Sequence, residues 1–187
     1  MTGTTTHAAA PLARTARRRR RWPAALAAIL VILAGYATWT NLRPYTLQAS
    51  IVINASPQRV WAVLTDLRAY QRWNPFIISS RGRLQVGATL TNRMRDATGT
   101  TTFTPVVLAV RAGRELRWIG KVGPGGIFDG EHSFVIQQIG PGRVRLTQRE
   151  QFTGVAIPFY EHRLHDDTLP QFRAMNAALA RQASNGG

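Results

Sequence analysis

DGEHSFVIQQIGPGRVRLTQREQF, residues 129–152, alternates in polarity on either side of Gly140-Pro141-Gly142. Alternation of this kind marks half-buried β-strands, and the central tripeptide has tight-turn chemistry: glycine tolerates positive φ and proline presets its own. The stretch therefore reads as a hairpin of two long strands. On the first strand His132, Phe134 and Ile136 share a face; on the second, Val144, Leu146, Gln148, Glu150 and Phe152 do. The opposite face of the second strand is Arg143, Arg145, Thr147, Arg149 and Gln151, which belongs in water. The apolar face points inward and takes His132, Gln148 and Glu150 with it. An apolar wall bearing a few polar groups suits a ligand pocket better than a dry core.

Working outward from the hairpin, Thr46–Ala55 alternates as a first strand, with Leu47, Ala49, Ile51 and Ile53 on one face. Ser56-Pro57 then supplies an N-cap and a proline at the first helical position. Val60, Trp61, Val63 and Leu64 recur at helical spacing to about Asp66, and a second short helix spans Leu67–Trp73 before Asn74-Pro75 ends it. Strand signals follow over 76–80, 89–95, 100–110 and 115–121, with the Gly-rich loop 123–126 leading into the hairpin. Pro105 falls inside the third of these and argues for an edge or a bulge there. Helix returns from His162 to Ser184, where Leu169, Phe172, Met175 and Leu179 form an apolar stripe and Pro170 starts or kinks the regular part. One strand, two short helices, six strands and a long terminal helix predict an α+β domain with a sheet of about seven strands.

The N-terminus has a different character. Residues 1–16 lack any hydrophobic period and read as disordered; Arg17–Arg21 is a basic run, and Trp22–Trp39 carries no charge. That length is close to the ~20 residues a membrane-spanning helix needs, and Trp22, Tyr36 and Trp39 sit where aromatic rings favour the bilayer interface. The basic flank places residues 1–21 in the cytoplasm, 22–40 in the membrane, 41–45 as a linker and the domain 46–184 outside the cytoplasm. A cleaved signal peptide is the competing reading, with Gly35-Tyr36-Ala37 as its small-x-small site. The formal charge is +15, of which the six arginines of residues 1–40 supply +6. In the domain the basic residues are spread over strand faces and turns, so a solvated surface is expected and no nucleic-acid partner. With no cysteine there is neither a disulfide framework nor a thiolate metal site.

Five stretches, taken in order, resemble the START-like superfamily, also called SRPBCC or Bet v 1-like, and within it the bacterial polyketide cyclase/dehydrase-type branch. They are Ala55-Ser56-Pro57 with Val60-Trp61; Asp66 with Tyr70, Trp73, Asn74 and Pro75; Arg117-Trp118-Ile119-Gly120; Gly130-Glu131-His132-Ser133-Phe134; and Glu150-Gln151-Phe152-Thr153-Gly154 with Phe172, Met175 and Asn176. The resemblance covers about Leu47–Ala183. It implies a helix-grip fold, in which a curved antiparallel sheet wraps the C-terminal helix around an apolar cavity. It also implies binding of lipids, sterols, polyketides or similar molecules. It carries no common catalytic motif, so no catalytic residue is inherited.

Glu150 and His132, on neighbouring inward faces, are the candidates for chemistry; a carboxyl in an apolar cavity is the kind of group a general acid or base needs. The expected pocket lining is Leu90, Met94, Phe103, Trp118, His132, Phe134, Gln148, Glu150, Phe172 and Met175. Trp61 and Trp73 read as core. His162 and His165 stand three apart beside Asp166 and Asp167, without a third ligand at a motif spacing, so no metal is expected. There is no P-loop, dinucleotide fingerprint, G-x-S-x-G or H-E-x-x-H, and no cofactor is expected. Three functions fit: a membrane-anchored binder of a hydrophobic small molecule or lipid, a cyclase- or dehydratase-like enzyme using Glu150 and His132, and a cell-envelope interaction protein with a filled cavity.

Overall fold

A computed structural model describes residues 21–96 and 99–185. The basic tail expected over 1–21 lies outside the described residues except for Arg21. The chain divides into two units between Thr38 and Trp39. Helix α1, Arg21–Leu42, begins in the first unit and ends in the second. Its segment Trp22–Leu42, 21 residues, is long and apolar enough to cross a membrane; a signal sequence near an N-terminus passes the same test. At 1.5 Å per residue it is about 30 Å long, the thickness of a bilayer's hydrocarbon core.

The second unit opens with β1, Tyr45–Ile53, followed by α2, Pro57–Thr65. Ser56 caps α2 as its sequence foretells, its side chain accepting from the Arg59 amide. A 3₁₀ turn, Leu67–Ala69, and α3, Tyr70–Trp73, replace the single second helix. They are tied down at both ends. Asp66 Oδ1 accepts from the Ala69 amide, and Asn74 Oδ1 accepts from the amides of Phe76 and Ile77. Tyr70 is fully buried and donates its hydroxyl to the Leu64 carbonyl at 2.7 Å; burial pushes its pKa well up.

Strands β2 (Ile77–Arg81), β3 (Thr91–Asp96) and β4 (Gly99–Phe103) form one antiparallel sheet in the order 2-3-4. Strands β5 (Val106–Arg111), β6 (Glu115–Lys121), β7 (Asp129–Gly140) and β8 (Arg143–Thr153) join β1 in a second, ordered 1-8-7-6-5. The described residues hold eight strands, where about seven are expected from the sequence. The single strand expected over 100–110 is two strands in two sheets. Pro105 is the reason: it has no N–H to continue a ladder, and its carbonyl instead accepts from the Leu90 amide at 2.9 Å. The sheets remain stitched there by the Thr89–Val106 bridge.

The hairpin β7–β8 is the longest pairing, turning at Gly142, whose φ is +62°. Behind it the chain makes a 3₁₀ turn at Ile157–Phe159, the short α4 (Glu161–Arg163), a π-helical turn at Leu164–Thr168, and α5, Leu169–Ser184. Pro170 sits in the first turn of α5, where its missing N–H costs nothing, so the irregular turn precedes it and the regular helix follows. The face of α5 carrying Phe172, Met175, Asn176 and Leu179 is buried. Asn176 donates to the Ala49 carbonyl of β1 at 3.2 Å, which fixes the helix against the five-stranded sheet.

Candidate functional site

Register across the five-stranded sheet sets the site. Val107, Trp118, His132, Glu150 and Leu47 are successive partners on β5, β6, β7, β8 and β1. Side chains directly opposite each other on one face touch. The Trp118 indole lies parallel to the His132 imidazole, centroids 5.2 Å apart, and His132 Nδ1 is 3.2 Å from Glu150 Oε2. Phe134 and the edge of Phe172 close the remaining sides of the imidazole, at 4.8 and 5.0 Å. Its other nitrogen is 3.1 Å from Gln148 Nε2. That amide nitrogen also points at Met175 Sδ, 3.7 Å away. In this amide orientation Gln148 Nε2 donates, His132 Nε2 accepts and the ring's proton lies on Nδ1 facing Glu150, while Gln148 Oε1 is left buried without a partner. The three residues form one chain of donors ending on Glu150.

Glu150 is where the chain meets open space. A cleft of about 300 Å³ has Phe76, Met94, Phe103, Phe128, Phe152 and Leu164 as its apolar walls. Glu150 is the acid on the sheet side; Arg95, Thr101, Asp167, Thr168 and Gln171 complete the lining. A larger hollow, about 620 Å³, lies between Pro57, the turn Arg111–Glu115 and Val135–Gln138. It is a surface depression edged by the exposed Arg111–Glu115 ion pair and contains no buried acid or base. The smaller cleft has the apolar walls and the placed polar group of a binding site.

Two glycines make the cleft. A Cβ on Gly120 would fall inside the Phe103 ring, so the bare backbone of β6 lets a ring from the other sheet lie over it. A Cβ on Gly130 would stand 2.7 Å from Glu150 Oε1, so this residue leaves room for the carboxyl to turn. Both are close-approach glycines within strands.

A sequence profile described as polyketide cyclase / dehydrase and lipid transport matches residues 44–183. The chain belongs to this family. Among solved structures, the Zhui aromatase/cyclase from Streptomyces sp. R1128 is similar at a TM-score of 0.63 and 14% identity, over 78% of this chain and 99% of that one. A START superfamily protein from Mycobacterium smegmatis is similar at 0.57 and 16%, over 73% and 97%. Norcoclaurine synthase from Thalictrum flavum is similar at 0.56 and 10%, over 74% and 92%. These structural likenesses show a shared helix-grip fold, and identities this low leave activity open. No curated protein matches the chain.

Within this polyketide cyclase/dehydrase-type domain the sequence candidates separate into two groups. Met94, Phe103 and Glu150 line the cleft. Leu90, Trp118, His132, Phe134, Gln148, Phe172 and Met175 are buried behind it. His132 thus reaches the cleft only through Glu150. Trp61 and Trp73 are partly buried and pack against the core. Phe76, Phe128, Phe152, Leu164 and Asp167 are lining residues that the sequence reading did not assign to the site. Phe152 shared the inward face of the hairpin and could have been included; Phe128 is in a loop and Leu164 in a π-turn, where no periodicity points to a cavity. His162 and His165 both pair with Asp166, at 3.2 and 3.1 Å, on an exposed face. Among the described residues no cluster of three or more His, Cys, Asp or Glu side chains is arranged to hold a metal.

Proposed function

We propose that the domain binds an apolar small molecule or lipid in the cleft beneath Phe103, Met94 and Phe128, while α1 anchors the chain in a membrane. The cleft carries this reading: apolar walls, one placed acid, and a volume at the lower end of small-molecule sites. For the anchor, the support is the length and composition of Trp22–Leu42 and the basic run before it. The chain enters the domain at Trp39–Arg43, and the loops that meet it there add exposed apolar groups. Thr40 O accepts from the Gly154 amide and Asn41 donates to Gly126 O; in these loops Phe159 is 80% exposed and Ile127 40%. Such groups suit a bilayer interface.

The test is photolabelling of the full chain in nanodiscs with an apolar diazirine probe, mapped by mass spectrometry. Labels are expected on Met94, Phe103 and Phe128. Gly120→Ala, which drives the Phe103 ring off β6, is expected to reduce them. Labels spread over the domain surface, unaffected by Gly120→Ala, count against the reading. The same sample reports the anchor, since cleavage after Ala37 would remove Met1–Ala37 from the intact mass.

A second reading rests on the donor chain itself. Gln148, His132 and Glu150 are aligned as an acid/base and its positioning groups would be, with Glu150 facing the cleft. If the domain turns over a bound aromatic or polyketide substrate, Glu150→Gln is expected to lower kcat by about 10²-fold or more. Unchanged turnover removes Glu150 from the chemistry.

A further inference from the structure

The polar end of the cleft has a definite sign. Glu150 is 9% exposed, and among the described residues its one ion-pair contact is His132. The imidazole stands with Nδ1 3.2 Å from Glu150 Oε2 and Nε2 3.1 Å from the Gln148 side-chain amide, so Oε2 is the carboxylate oxygen that is already partnered. The charged groups on the rim do not answer the carboxylate: Asp167 is itself acidic and paired with Arg163 at 3.3 Å, and Arg95 is exposed. Glu150 Oε1 accepts no hydrogen bond among the described residues, and Gly130 leaves space beside it. Oε1 opens on the cleft, so a ligand that fills the space takes its solvent away, and a ligand able to supply a donor there recovers that cost. A ligand bringing a second negative charge adds like-charge repulsion against the Glu150 carboxylate.

We propose that the cleft selects apolar molecules that end in a hydrogen-bond donor, such as alcohols, phenols or amines, and discriminates against the matching carboxylates. This rests on the reading that the cleft binds apolar ligands. It makes Glu150 a specificity-determining residue whether or not any reaction follows. Free fatty acids, bound carboxylate-first, are excluded as ligands on this basis; hydroxylated or amino-bearing aromatics and alkyl chains are favoured.

The experiment uses the full chain in nanodiscs and three probes with one ring system: naphthalene, 2-naphthol and 2-naphthoate. Binding is measured calorimetrically at neutral pH with empty nanodiscs subtracted. 2-Naphthol is expected to bind about tenfold or more tighter than 2-naphthoate, with naphthalene between them. In Glu150→Gln, which keeps shape but removes the charge, the ratio is expected to fall to about threefold or less. Equal affinity of 2-naphthol and 2-naphthoate for the unaltered protein overturns the proposal and leaves the apolar-cleft reading standing, whether or not the variant folds. If none of the three binds, naphthalene included, the apolar-cleft reading fails and this one falls with it.

Discussion

Replacing Phe172 by alanine is expected to cost the domain about 3–5 kcal/mol, lowering the thermal midpoint by about 10 °C. Phe172 is fully buried on α5, and its ring meets Phe76 edge-on at 5.8 Å and His132 at 5.0 Å. It therefore ties the terminal helix to both the cleft wall and the imidazole behind Glu150. Truncation removes a large transfer term and leaves a void that the surrounding strands, held in ladders on both sides, are poorly able to fill. The contrast is Phe159→Ala, whose ring is exposed and whose loss should fall within about 0.5 kcal/mol. Thermal melts of the full chain in detergent compare the two. A Phe172→Ala loss below about 1 kcal/mol would mean that α5 does not bury this face against the sheets.

Both phenylalanines are equally apolar, and only their settings separate them. The setting of Phe172 was legible because Leu169, Phe172, Met175 and Leu179 repeat at helical spacing. The hairpin was legible for the same kind of reason, and with it the opposition of His132 and Glu150, since strand alternation plus a short turn nearly fixes register. The division of the strands between two sheets was less so. Pro105 announced an irregularity, but whether a proline marks an edge, a bulge or the end of a strand depends on which neighbours accept its carbonyl. That is a tertiary matter.

The candidate site shows where periodicity stops being informative. Alternation tells that Trp118, Phe134 and Gln148 point inward, and they do; it cannot tell which part of an inward face is filled and which is left open. Here Phe172 and Met175 fill the space over the middle of the sheet, and the cleft remains toward β8's end, around Glu150 and Phe152. Its other walls come from segments with no period to read: the loop bearing Phe128 and the π-turn bearing Leu164. The glycines were equally silent. Gly120 was visible only as part of a motif, and its use, room for the Phe103 ring, requires a contact between two sheets.

Gly154 is the sharpest case of a residue whose importance only the fold reveals, and Gly154→Ala is expected to destabilise the domain by about 3 kcal/mol or more. Its φ is +124°, a conformation that side chains rarely adopt. A Cβ there would also run into the backbone of Ile127 and stand 2.9 Å from the Phe128 nitrogen. That backbone has little freedom to retreat. Gly126 O and Ile127 O accept from the amides of Val155 and Ala156, each at 3.0 Å, and Phe128 O accepts from Val122 at 2.9 Å. Strain is thus shared between two loops, and both reach the cleft. Phe128 packs edge-on against Phe152 at 5.9 Å and Tyr160 at 5.8 Å, so moving its backbone moves a wall of the site. The variant should therefore lose probe binding in whatever fraction stays folded, as well as stability. Gly140→Ala is the control, because nothing lies within 4 Å of a Cβ there and its φ is not positive. Denaturant titration of both variants, with 2-naphthol binding measured below the transition, separates the outcomes. If Gly154→Ala matches Gly140→Ala in stability and binding, the two loops are not locked together and the cleft does not depend on their contact.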